Sequence, residues 1–175
     1  MTKEIKQNVL DNLVAISYFW IGDENPQCSL NMCKLLLKLE DLTKTQKKKI
    51  DDLYHDWKAL FSTRYKEEEF EIIKLPSKYE DDEGKILFIA VQGIMNLIGT
   101  ANYEMAFMFL IEMSENWNEL YINVVETIKK SEFKMPFSEW LTMHFMLALD
   151  INGKEDMEFA GFKIEKIGDG DIFDI

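Results

Sequence analysis

Apolar residues recur at helical spacing through most of the chain. Between Lys3 and Phe19, Ile5, Val9, Leu13 and Ile16 share a stripe that Leu10 and Val14 widen, the pattern of an amphipathic helix. Gly22-Asp23-Glu24-Asn25-Pro26 reads as a turn, after which Ser29 is placed to cap a short helix through Leu39. Thr43 or Thr45 opens another, with Ile50, Leu53, Tyr54, Trp57, Leu60 and Phe61 inward. Arg64 to Leu75 favours helix over strand, and residues 76–84 read as a long acidic loop. Ile86 to Met113 is apolar on nearly every side and predicts a buried helical hairpin at the centre of the fold. Gly99-Thr100-Ala101-Asn102 divides it, with Gly99 suited to a left-handed C′ position.

Beyond the hairpin, Ser114 or Asn116 is expected to cap a helix reaching Lys130, with Leu120, Val124 and Ile128 inward. Pro136 fits the start of a further helix through Leu149. The end of the chain differs. Asn152-Gly153 suits a tight turn, and Ile164–Ile167 and Ile172–Ile175 are short and β-like. The expectation is a mainly α, single-domain multi-helix bundle over residues 1–175, built around the central hairpin. Residues 150–175 add a short β-hairpin or irregular tail packed on it.

Charge changes this picture from an architecture into a surface. The net charge is −12, yet residues 1–63 carry nine acids and nine lysines, so the surplus lies entirely after Thr63. No Lys or Arg occurs from Ile86 to Ile128. Such a balance disfavours nucleic acid and anionic membranes as partners and favours a basic protein. Three acidic runs stand out: Glu67, Glu68, Glu69 and Glu71; Glu80, Asp81, Asp82 and Glu83; and Asp169, Asp171 and Asp174. These are the expected partner-binding residues, since carboxylates so arranged steer a basic partner and can take the place of a nucleic-acid phosphate.

Candidate chemistry is sparse. Asp52 and His55 sit three apart in the Asp51-Asp52-x-x-His55-Asp56 segment, a spacing that can share a metal, and Asp56 adjoins them. A di-metal bundle needs that unit twice, and the second histidine, His144, has Leu141 in the place of an acid. A solvated helix face is the plainer reading for Asp52, His55 and Asp56. Asp169-Gly170-Asp171 lacks the spaced ligands of a calcium loop. Cys28 and Cys33 read as reduced thiols, one in the core, and the ten methionines as adaptable core filling. No phosphate loop, nucleophile elbow or signal peptide is visible, so no cofactor is expected and a cytoplasmic, non-enzymatic protein is. Gln92, Asn96, Asn102, Glu104 and Glu112 interrupt the apolar stretch, which argues against a membrane span.

In size, acidity and want of a catalytic signature, the whole chain resembles the small acidic immunity proteins that bacteria pair with secreted or contact-delivered toxins. The resemblance implies a cytoplasmic inhibitor that binds a cognate toxin domain, often a basic nuclease, and blocks its active site or substrate path. It rests on no motif, so no residue role is carried over and the acidic positions come from charge alone. Three other readings stay open: a nucleic-acid-mimicking inhibitor of a host nuclease, a metal-binding helical-bundle enzyme built on Asp52 and His55, and a self-associating structural subunit.

Overall fold

The computed structural model describes residues 1–18, 25–64, 66, 73–153, 156–159 and 162–165. The fold is mainly α, a multi-helix bundle. Among the described residues it has seven helices: α1 (Lys3–Ser17), α2 (Pro26–Leu36), α3 (Lys44–Phe61), α4 (Asp82–Gly99), α5 (Tyr103–Asn116), α6 (Asn118–Lys129) and α7 (Lys134–Asn152). Two strands follow, β1 (Asp156–Phe159) and β2 (Phe162–Glu165). The chain forms two compact units, Met1–Asn96 and Leu97–Ile175.

In the first unit α1, α2 and α3 pack on one another. Leu60 of α3, expected inward, is 55% exposed because it falls off the buried stripe, whereas Val9, Leu10 and Leu13 of α1 and Ile50, Leu53, Trp57 and Phe61 of α3 are buried as the spacing predicts. Burial of each such side chain is worth about 1.5–3 kcal/mol. Helix α2 starts earlier than its serine implies. Asn25 stands at the N-cap and Pro26 at the first helical position, where a missing N–H costs nothing, so Ser29 lies inside the helix and is buried. The Trp57 indole N–H donates to the Pro26 carbonyl at 2.9 Å and fixes that start against α3. Leu30, Trp57 and Phe61 form a cluster on which Tyr54 packs.

Thr43 opens α3 with a complete capping box: its hydroxyl accepts from the Gln46 amide and the Gln46 side chain accepts from the Thr43 amide. Gln46 is buried and also donates to Asp11, tying α3 to α1. Most of the expected helix over Arg64–Leu75 lies outside the described residues. Where it is described, Arg64 is in a turn and Ile73–Leu75 are irregular, with the Ile73 amide donating to buried Asn31.

Helix α4 is buried on nearly every side, as its composition predicts: Ile86, Ala90, Ile94 and Leu97 are all fully enclosed. Its end corrects the expected left-handed Gly99. Gly99 is the last helical residue, and Ala101 takes the left-handed conformation at φ 60°. The Asn102 amide donates to Leu97 and the Ala101 amide to Ile98, which is a Schellman closure with alanine at C′.

In the second unit α5 packs on α6, and α6 and β2 both lie against α7. Neither Ser114 nor Asn116 caps α6. The junction is Trp117, almost fully buried, whose N–H closes α5 on Met113 and whose carbonyl accepts from Tyr121. Leu120, Val124 and Ile128 face inward as expected. Asn152-Gly153 ends α7 with Gly153 at φ 62° rather than turning a hairpin. The hairpin is present but earlier than expected, pairing β1 antiparallel to β2 with Met157 opposite Ile164. Residues 166–175, including the expected strand Ile172–Ile175, lie outside the described residues.

Candidate functional site: the acidic surfaces

Of the three acidic runs, only Glu80–Glu83 falls within the described residues. Glu67, Glu68, Glu69 and Glu71 lie outside them, as do Asp169, Asp171 and Asp174. The described run is not the free loop its composition implies. Helix α4 begins in the middle of it, because carboxylates suit the positive end of a helix dipole. The Asp81 carboxylate accepts from the Gly84 amide at 2.6 Å and its carbonyl from Lys85, so Asp81 is the helix cap.

Asp82 turns inward instead. Its carboxylate accepts from the backbone amides of Glu40 and Asp41, at 3.4 and 3.1 Å, and from the Lys85 ammonium at 3.4 Å. Lys6 stands 3.7 Å away and is itself paired with Asp41. Partial burial pushes the Asp82 carboxyl upward, but the two amides and two ammonium groups outweigh it and hold the group below its ordinary value. Lys6 responds in kind: burial lowers its ammonium, and Asp41 with Asp82 more than restores it. Glu83 is exposed and meets the Met1 amino group at 3.2 Å. Glu80 is exposed. The run therefore clamps α1, the α2–α3 connection and α4 together, with Glu80 left to solvent. A hollow of about 590 Å³ opens beside the clamp, lined by Lys3, Lys6, Glu40, Asp41 and Leu42 among others.

A second acidic surface lies on α5 and α6, where the sequence has no cation before Lys129. Glu104, Glu115, Glu119 and Glu126 are exposed. Glu126 is offset by Lys130 at 2.8 Å, a pair at the surface that contributes little. Residue-by-residue reading missed these carboxylates because they come singly rather than in runs. The signal that finds them is the absence of Lys and Arg from Ile86 to Ile128.

The remaining candidates are dispersed. Asp52, His55 and Asp56 are all exposed on α3. Among the described residues no three His, Cys, Asp or Glu side chains group as a metal site. His144 is partly buried against aromatic rings, with Tyr103 at 4.4 Å and Phe107 at 6.0 Å, and its Nε2 has no hydrogen-bond partner among the described residues. Burial pushes the Cys28 thiol up to about 11 and the Cys33 thiol to about 12, so both stay protonated and unreactive at neutral pH. Among the described residues no helix is long and apolar enough to cross a membrane. Comparison of the chain with protein-family models, curated proteins and solved structures gave no match.

Proposed function

We propose that this protein is an immunity-type inhibitor that binds a basic toxin domain, of the nuclease kind, and covers its active site or substrate path. The observation that carries the reading is uncompensated charge. Forty-odd consecutive residues without a cation include α5 and most of α6, and on α5 Glu104 and Glu115 are exposed with no ion-pair partner among the described residues. Such a surface attracts Lys and Arg that would otherwise hold nucleic-acid phosphates, and it does so at long range. The Glu80–Glu83 run contributes less than its sequence suggests, because three of its four carboxylates are engaged within the first unit. Binding in the cytoplasm of a bacterial cell, where such a toxin meets its target, completes the proposal.

The test is protection. Co-expression with a toxin domain encoded beside this gene should restore growth, and the purified pair should associate quickly at low salt and more slowly as salt rises. Failure to protect, with no basic protein retained on the immobilised chain, would overturn the reading.

A further inference from the structure

Helix α5 is held on two sides and open on a third. Ala106, Phe109, Leu110 and Met113 are buried. Tyr103 and Phe107 stack against His144 and Trp140 of α7, at 4.4 and 4.5 Å. Glu104, Met108, Ile111 and Glu115 remain, and steps of four, three and four place them within about 60° of one another around the helix. Met108 is 55% exposed and Ile111 37%. Single exposed aliphatic residues are ordinary; two on adjacent turns, framed lengthwise by carboxylates, make a seam. Neither Glu104 nor Glu115 has an ion-pair partner among the described residues.

We infer that this seam of α5 is a docking surface for a basic amphipathic helix, with Met108 and Ile111 receiving its apolar side chains and Glu104 and Glu115 its cations. Resting on the inhibitor reading above, the inference gives it a surface and a shape of partner. The two carboxylates lie about 16 Å apart along the axis, so the incoming helix presents its cations about three turns apart, with aliphatic residues between. Methionine suits such a seam because its thioether adapts to varied side chains. A second copy of this chain is the poorer occupant: apposing two such faces sets carboxylate on carboxylate.

The test uses the full chain and a short Leu/Lys amphipathic helical peptide, with its Leu/Glu counterpart as control, followed by calorimetry. The Leu/Lys peptide should bind and the Leu/Glu peptide should not. Glu104→Lys with Glu115→Lys should weaken binding about tenfold or more, whereas Glu132→Lys with Glu139→Lys, which changes net charge equally at exposed sites of the same unit, should have a much smaller effect. Met108→Gln, at a site more than half exposed, should keep the helical circular-dichroism spectrum and still weaken the peptide. Equal loss in both charge pairs, no binding by the parent, or a dimer that Met108→Gln dissolves would each overturn the inference. Loss of toxin protection with the peptide result intact would remove the toxin reading and leave the surface standing; protection unaffected by the α5 variants would do the reverse.

Discussion

Ala101 carries the least favourable backbone angle among the described non-glycine residues, φ 60°, while two positions earlier Gly99 occupies the end of α4 with open space where a Cβ would go. The two residue types stand in each other's preferred places. A left-handed alanine costs about 1 kcal/mol, and a helical glycine about the same against alanine. Ala101→Gly should therefore stabilise the protein by about 0.5–1 kcal/mol and raise the thermal midpoint by a few degrees, and Gly99→Ala should do likewise. A fall in the midpoint on Ala101→Gly would show that the Schellman geometry is not what closes α4. At the same scale, burial at Cys33 predicts that iodoacetamide labels the native protein at neutral pH far more slowly than the urea-unfolded chain.

At the scale of elements, the Thr43 capping box decides where α3 begins despite Lys44 and Lys47–Lys49, whose charges oppose the helix dipole. Thr43→Ala should cost about 1 kcal/mol, read as an earlier urea midpoint with an unchanged slope. Thr43→Ser should cost little. Hydrophobic spacing made the existence of α1, α3, α4 and α6 legible, because each buries one stripe or its whole circumference. Starts and stops were harder to read where two signals compete. Ser29 looks like a cap, but Asn25-Pro26 lies upstream and Trp57 reaches Pro26 from a distant helix, a contact that local sequence does not encode. The acidic run before Gly84 looks like a loop because its residues are charged, yet that same charge suits the first turn of α4. Trp117 joins α5 to α6 through burial rather than a polar cap, so capping rules alone misplace the boundary. The α5 seam was half legible: the missing cations are visible in the sequence, but which carboxylates face solvent beside Met108 depends on how α5 packs.

For the molecule as a whole, charge has two separable uses. In the first unit part of it is engaged within the fold, and Asp82 is the centre of that part. A carboxyl held below its ordinary 3.8 in the folded state stabilises the fold above that value, and the contribution disappears as pH falls through the lower native value. The thermal midpoint should thus drop as the medium is taken from neutral into the range below about pH 4, and Asp82→Asn should flatten that part of the profile while lowering stability at pH 7 by about 2 kcal/mol. An acid profile identical in Asp82→Asn and parent would show that other carboxylates govern acid unfolding. In the second unit the charge is turned outward, and its variation should alter association with little effect on stability.

The buried indole of Trp57 lies in the first unit, whereas those of Trp117 and Trp140 lie in the second. Each half thus contains its own native fluorophore. Chains retaining Trp57 alone, or Trp117 and Trp140 alone, would turn the emission red shift on denaturation into a separate clock for each half, and the lag between the two would measure how cooperatively they melt.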